Sequence, residues 1–335
     1  MSDQNELIEK QQPLTSTDLM QAVVITSPKK YELKQVPKPE PQADEVRIRI
    51  SGCGICASNI PVWEGRDWFE YPLKPGAPGH EGWGIVDEIG SAVSKVHIGD
   101  AVTSLSYNSF AQFDIAKEQS VVKIPEVLKD KPFPGEPLGC VMNIFHRSDI
   151  QPGQTVAIVG MGFLGLLLTS IISNYGATVM AISRRDSALN FAKENGAAHT
   201  VKFDDYWKII DQVKKITDDR LCDRVIEATG KQLPLDLAGE LTSIRGKLII
   251  AGYHQDDKRS VNMQLWNWRG IDVINAHERD PQIYIKGIQD AVKEVAAGRL
   301  NPFPLYKNYS IHEFDTAMEA IIYQPEGLIK ALMIL

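Results

Sequence analysis

The chain reads as an α/β protein in two parts: a mainly β first half, and a second half built on a doubly wound parallel sheet. Up to about residue 125, short β-branched runs are punctuated by glycine and proline, the pattern of a small antiparallel unit. After Pro137 the rhythm becomes strand, helix, strand, which requires a parallel sheet covered on both faces. At 335 residues and 43% hydrophobic composition the chain can bury two substantial cores.

Residues 1 to 19 are polar, lack periodic apolar positions, and are expected to form a flexible N-terminal extension. Gln21 to Thr26 and Glu45 to Ser51 follow as strands, expected to run antiparallel across an extended loop made by the proline-rich stretch Val36 to Pro41. In the second half, strands are expected at Thr155 to Val159, Thr178 to Ile182, Arg224 to Glu227, Lys247 to Ala251 and Asp272 to Asn275. Helices such as Ser187 to Asn195 and Leu233 to Thr242 lie between them. Residues 281 to 335 add a helix, a loop with two prolines, another helix and a final strand that returns to the first half. The expected division is therefore 1–19, a first domain over 20–137 completed by 281–335, and a second domain over 138–280.

Charge and cysteine content exclude several classes. The net charge is −7, and the longest basic clusters are pairs such as Lys29-Lys30 and Arg184-Arg185, so no track exists for a nucleic-acid backbone. Four cysteines, at 53, 56, 140 and 222, with no cleavable signal pattern argue against a disulfide framework, and a cytoplasmic setting is expected. Val156 to Ser173 is apolar enough to suggest a membrane span, but three glycines interrupt it and no membrane association is expected.

Those glycines have a better explanation. Val156-Ala-Ile-Val-Gly-Met-Gly-Phe-Leu-Gly165 places G-x-G-x-x-G directly after a strand and at the mouth of a helix. Gly160 permits a tight turn, Gly162 admits a pyrophosphate close to the backbone, and Gly165 lets helix and sheet approach. Phe163 and Leu164 open the helix whose free N–H groups face the anion. A dinucleotide is thus the expected cofactor. Where NAD-specific proteins place an acidic residue on the ribose, this chain has Ser183-Arg184-Arg185. A hydroxyl and guanidinium groups suit a 2′-phosphate, so NADP is favoured, with NAD as the alternative.

Three segments of the first half carry ligand-type side chains: Gly52-Cys-Gly-Ile-Cys-Ala-Ser-Asn59, Pro78-Gly-His-Glu-Gly-Trp-Gly84 and Gly135-Glu-Pro-Leu-Gly-Cys140. A catalytic zinc takes three protein ligands of N, S or O type and keeps one position open. With these motifs in hand, the chain from about Met20 to Leu335 resembles the zinc-containing medium-chain dehydrogenases, and the sorbitol or polyol branch in particular. It carries G-x-C-x-S, G-H-E-x-x-G, Gly99-Asp100, E-P-L and G-x-G-x-x-G in that family's order.

The resemblance implies a GroES-like catalytic domain followed by a Rossmann domain. It implies that Cys56 and His80 are zinc ligands and that Glu81 is an adjacent carboxylate able to bind or withdraw. Glu136 falls at the position of the third protein ligand, and each glutamate stands either as a direct ligand or beside one. Ser58 matches the hydroxyl that takes the substrate proton, while the histidine that extends this relay in liver-type relatives is Pro61 here. Lys330 matches a cation placed near the pyrophosphate, with a solvated strand lysine as the alternative. The aspartate that often follows the serine is Asn59, able to accept from a ligand histidine. Ala101 to Lys117 contains no cysteine, so one catalytic zinc and no structural zinc are expected. Cys53 is expected to be structural rather than half of a redox dithiol.

The activity so implied is hydride transfer between NADP(H) or NAD(H) and a secondary alcohol or ketone, such as a polyol, sugar or cyclic alcohol, in a homodimer or homotetramer. Two alternatives remain open: a zinc-free quinone or enone reductase on the same scaffold, and a non-catalytic dinucleotide-binding protein. Trp63, Trp68, Phe69, Tyr71, Ser106 and Tyr107 are candidates to line the substrate pocket or to be ordinary core and rim residues. His277 and Glu278 reach either the substrate or a subunit interface.

Overall fold

The computed structural model describes residues 18–335, so the N-terminal extension lies almost wholly outside the described residues. The chain begins with a hairpin of β1 (Leu19–Ser27) and β2 (Lys30–Pro37). This corrects the expectation that Gln21 to Thr26 would lead by a loop to Glu45. Lys29 takes a left-handed φ of 59° and turns the chain straight back. The charged strand β2 escaped notice because most of its side chains stay in water.

A second sheet follows from β3 (Glu45–Gly54). The short helix α1 (Asn59–Glu64), strands β4 (Gly82–Ile89), β5 (Ala101–Ser104), β6 (Phe113–Lys117) and β7 (Val121–Lys123), and helix α2 (Gly135–Ser148) come next. Helix α2 runs through Pro137 and carries the chain without a break into the parallel unit.

That unit contains β8 (Thr155–Val159), α3 (Phe163–Asn174), β9 (Thr178–Ser183), α4 (Asp186–Glu194) and β10 (His199–Lys202). It continues through α5 (Tyr206–Ile216), β11 (Cys222–Glu227), α6 (Gln232–Leu241), β12 (Thr242–Ile250), α7 (Met263–Arg269) and β13 (Asp272–Asn275). The strands pair in the order β10-β9-β8-β11-β12-β13, all parallel. Strand order reverses between β8 and β11, and in such a sheet ligands bind at the carboxyl ends beside that switch. Buried strand β8 and the largely buried helix α3 explain the apolar run that resembled a membrane span; among the described residues no helix is long and apolar enough to cross one.

The chain then forms α8 (Pro281–Ala296), β14 (Tyr306–Ser310), α9 (Phe314–Tyr323) and β15 (Lys330–Ile334). Strand β15 lies antiparallel to β3, with Leu332 opposite Gly54 and Ile334 opposite Gly52, and β14 extends the sheet beyond it. The polar, mostly exposed strand β14 fell in the stretch expected to be a proline loop.

Two helices join the halves. Gly135 and Gly139 lie one turn apart on α2, and a Cβ on Gly139 would come within 2.6 Å of Ile288 Cγ1 on α8. Glycine here allows close approach, so Ile288, Ala291 and Val292 share one core with Leu138 and Val141, with Trp83 and Ile124 from the β half, and with Leu166 from α3. The approach also brings Tyr284, one turn before Ile288, down onto the face of α2.

Candidate metal and dinucleotide site

Strand β3 ends at Gly54, and the chain turns through Cys56 into α1. Ser58 is the N-cap of this helix, yet its hydroxyl makes no capping bond. It lies 3.5 Å from His80 Nε2 instead. His80 comes from the loop before β4, and its Nδ1 is 2.8 Å from the carbonyl oxygen of Pro78. That contact needs the proton on Nδ1 and turns the Nε2 lone pair toward Cys56. Ligand atoms of Cys56, His80 and Glu81 lie within 4.8 Å of one another.

Asn59 is buried and joins the two ligand loops. Its Oδ1 accepts from the Cys56 N–H at 2.9 Å, and its Nδ2 donates to Pro78 O at 3.2 Å. It does not accept from His80, as the sequence had suggested; the two side chains donate to the same carbonyl. Cys53 belongs to the core around Trp63 and Phe314, where burial raises its thiol well above the ordinary value.

Glu81 is 1% exposed, and its counter-charge is Lys330 at the head of β15, itself 6% exposed. The ammonium donates to Glu81 Oε1 at 2.6 Å and to Ile55 O at 3.1 Å, and lies 5.3 Å from the centre of the Phe163 ring. A solvated strand lysine is thereby excluded. Glu81 Oε2 is 2.5 Å from the same nitrogen but outside hydrogen-bonding geometry, and among the described residues no other donor reaches it. Burial works against the Lys330 charge, but Glu81, Cys56 and Glu136 hold its pKa above the usual lysine value.

Glu136 lies outside the close trio. On α2 its carboxylate accepts from the Tyr284 hydroxyl, and Cys140, one turn along, has its sulfur 2.8 Å from that hydroxyl and 3.7 Å from Glu136 Oε1. Desolvation raises Glu136, and Glu81 adds to the effect while His80 opposes it. Burial disfavours a charge on His80, yet Cys56, Glu136 and Glu81 hold its pKa up, to about 10. Sulfur, imidazole and carboxylate donors, a buried oxygen without a donor, and a field that favours positive charge all fit a divalent zinc-type cation.

The dinucleotide turn has the stereochemistry its glycines require. Gly160 has φ 112°, and a Cβ on Gly165 would be 2.0 Å from Gly160 O. A Cβ on Gly162 would meet nothing within 4 Å, so the space before Phe163 and Leu164 is open to a pyrophosphate. At the end of β9, Ser183 is buried while Arg184 points into solvent. Arg185 is engaged, with Nη1 2.6 Å from Leu328 O and Nη2 3.5 Å from Met161 O.

The two halves match separate family models. Residues 42–126 match the alcohol dehydrogenase GroES-like domain, and residues 164–293 match the zinc-binding dehydrogenase domain. The sorbitol dehydrogenase of Bacillus subtilis is 26% identical over 94% of this chain and 97% of its own. The chain belongs to the zinc-type alcohol dehydrogenase family. A second family member, the D-arabitol-phosphate dehydrogenase of Enterococcus avium, is 27% identical over 85% of this chain and 88% of its own. A candidate zinc-binding dehydrogenase from Sinorhizobium meliloti, solved with NADP bound, shares the fold with a TM-score of 0.81. It is 24% identical, and the likeness covers 95% of this chain and 99% of that one.

In this family member the aromatic residues between the ligand segments divide. Trp63 is core, packed edge-on to Phe314, while Tyr71 bonds Val62 O and packs with Phe69 against the same cluster. Trp68 is exposed. Tyr107 stacks on His80, ring centres 6.1 Å apart, and its loop is tied down by Asp114, which accepts from Asn108 N–H and the Ser109 hydroxyl; Ser106 in turn bonds Ser109. His277 stacks on Tyr253 at the carboxyl ends of the parallel sheet. Sequence reasoning missed Tyr284 and Cys140 as neighbours of Glu136; the spacing of Cys140 four residues after Glu136 on one helix was the available signal.

Because Glu81 and Lys330 are both buried, removing one strands the other. Lys330→Met is expected to destabilise the zinc-stripped protein by about 3–5 kcal/mol, measured from urea unfolding midpoints. Adding Glu81→Gln to that variant should recover most of the loss. An unshifted midpoint in the single variant would show that the pair carries no such energy.

Proposed function

We propose that this chain is a zinc-dependent, polyol-type dehydrogenase that moves a hydride between NADP(H) and the carbinol carbon of a secondary alcohol, or back to the matching ketone. The observation that carries the reading is the meeting of Cys56, His80 and Glu81 beside the Ser58 hydroxyl, which makes no capping bond and lies 3.5 Å from His80 Nε2. Sorbitol and D-arabitol-phosphate dehydrogenases among the relatives support a polyol or sugar-like substrate.

Cys56 and His80 are the ligands on this reading, with Glu81 or Glu136 as the third, and the ion is single. When bound, the zinc supplies a Lewis acid at the substrate oxygen and the dinucleotide supplies the hydride acceptor. Ser58 takes the proton of the substrate hydroxyl. Pro61 is buried in α1 and offers no group to pass it on, so the proton leaves through water or the cofactor ribose. His80 is held by Pro78 O and walled by Tyr107, which presents an aromatic face at the rim for a polyhydroxylated substrate. Lys330 holds the Glu81 carboxylate in place while contacting the ring of Phe163 at the glycine turn.

Cys56→Ala or His80→Ala should remove zinc, read by elemental analysis, and abolish turnover while dinucleotide affinity stays within about twofold. The fold does not depend on metal as a zinc finger's does. Full activity in either variant would end the zinc reading.

For cofactor choice, the absence of an acidic residue at Ser183 and the NADP-bound Sinorhizobium meliloti protein support NADP. Arg185 is tethered to Leu328 and Met161 carbonyls, which leaves Arg184 as the arginine facing solvent. Arg184→Ala should weaken NADP by roughly ten- to hundredfold, the effect of one charge-assisted bond, and leave NAD nearly unchanged. Ser183→Asp should invert the preference in steady-state kinetics. An unmodified protein that uses NAD better than NADP would refute this assignment.

A second copy of the chain is the proposed partner. Strand β13 is the edge of the parallel sheet, and Val273 on it and Trp268 before it are exposed. Sedimentation at micromolar concentration should give a dimer or a dimer of dimers, and Val273→Asp should dissociate it. A monomeric unmodified protein would contradict the pairing.

A further inference from the structure

Glu227 ends β11 beside the switch point, 0% exposed, and takes no part in the metal trio. Its carboxylate accepts from the backbone N–H of Thr229 at 2.7 Å, from that of Gly230 at 3.0 Å, and from the Thr229 hydroxyl. These bonds shape the turn 228–230, which lies against the dinucleotide turn: a Cβ on Gly160 would be 2.6 Å from Thr229 Cγ2. On its other side Glu227 lies 3.0 Å from His254 Nε2.

His254 belongs to the segment 252–260 that follows β12. Its Nδ1 accepts from Arg259 Nε at 3.0 Å, so Nε2 carries the proton and donates to Glu227. Arg259 Nη2 also donates to Gly230 O at 2.9 Å. Gly252 fits because it lacks a side chain, since a Cβ there would be 2.2 Å from Gly230 N and 2.7 Å from Glu227 Oε2. From this anchorage the segment reaches the other half of the molecule. Gln255 Nε2 is 3.5 Å from Ala57 O, and Asp256 is 3.4 Å from Arg66 Nη2. Ala57 lies between Cys56 and Ser58. Both crossing contacts are long and lie near solvent, so neither alone would hold the segment. The shorter, largely buried bonds through His254 decide where it sits.

We propose that His254 is a positioning residue that couples the dinucleotide turn to the Cys56–Ser58 segment. A dinucleotide seated against Gly160 also bears on the turn 228–230. Through Glu227 and His254 that turn fixes Gln255 over Ala57, and linkage requires the effect to run in both directions. The inference rests on the reading that a dinucleotide binds at the glycine turn, and it goes beyond it by joining that turn to the metal loop through a side chain that contacts neither reacting group.

The test uses the full-length zinc-loaded protein, unmodified and as His254→Ala, His254→Gln and Gln255→Ala. NADPH and NADH affinities are read by fluorescence titration, and amide hydrogen exchange is followed in peptides covering residues 55–66 at saturating dinucleotide. In the unmodified protein, dinucleotide should slow exchange there by about tenfold, a usual size for coupling between sites. His254→Ala should abolish the slowing and weaken dinucleotide binding by about tenfold, with zinc content unchanged. His254→Gln keeps an N–H toward Glu227 and should restore most of both. Gln255→Ala, at a partly exposed position that does not threaten folding, should lose the slowing yet bind dinucleotide within about twofold of the unmodified protein. Slowing that persists in His254→Ala or in Gln255→Ala, or that is absent from an unmodified protein that binds dinucleotide, overturns the coupling. Failure of the unmodified protein to bind either dinucleotide overturns the reading beneath it.

Discussion

A buried ammonium lies where three parts of the chain converge. Lys330 stands at the head of β15, takes Glu81 as its counter-ion, donates to Ile55 O in the loop that carries Cys56, and lies near the Phe163 ring where α3 begins. Two charges taken out of water hold one another only when their geometry is good and their remaining bonds are met. Each neighbouring choice serves that condition. Gly54 must be glycine because a Cβ would come 1.9 Å from Glu81 Oε2. Strand β15 must pair with β3 in a register that sets Leu332 against Gly54 and so brings Lys330 level with the metal loop. The last strand thus supplies the counter-charge to a carboxylate buried beside His80.

The helices α2 and α8 impose the second constraint. Their glycine-lined crossing brings Tyr284 close enough to bond both Glu136 and Cys140, which places one carboxylate just beyond the trio while Glu81 lies within it. Two carboxylates and a sulfur around one histidine give a negative pocket, which holds the His80 pKa up, at about 10, against the opposing effect of burial. Such a pocket would repel itself but for Lys330 and a bound cation. Its chemistry is therefore that of a site built around positive charge.

The sequence made legible whatever depends on local spacing. G-x-G-x-x-G after a β-branched run marks the turn between β8 and α3 because each glycine answers a local backbone need, and the strands Thr155–Val159 and Asp272–Asn275 lie at the expected residues. Cys56, His80 and Glu81 were readable because a resemblance named them and because sulfur, imidazole and carboxylate share one chemistry. The pairings between distant residues were not readable. Lys330 and Glu81 are 249 positions apart, and Tyr284 and Glu136 are 148 apart, so no window of sequence holds both partners. Strands β2 and β14 escaped for another reason: most of their side chains face water, although β2 alternates half-buried Tyr31 and Leu33 with exposed neighbours. Asn59 was legible as a polar residue near the ligands but not as the stitch between Cys56 N–H and Pro78 O, which depends on how two loops meet.

The run Ser183-Arg184-Arg185 shows how far residue type alone can mislead. Adjacent arginines look equivalent in sequence, but successive residues leaving a strand point to opposite sides. Arg185 turns inward and spends its guanidinium on the carbonyls of Leu328 and Met161, binding the strand end to the segment before β15. It is therefore placed to hold the C-terminal strand against the dinucleotide half, close to where Lys330 enters the metal site. Arg184 turns outward and keeps its donors for whatever lies at the edge of the cleft. One arginine belongs to the architecture that brings the two halves together, and under the proposed cofactor assignment only the other, exposed to solvent, would distinguish a phosphate from a hydroxyl.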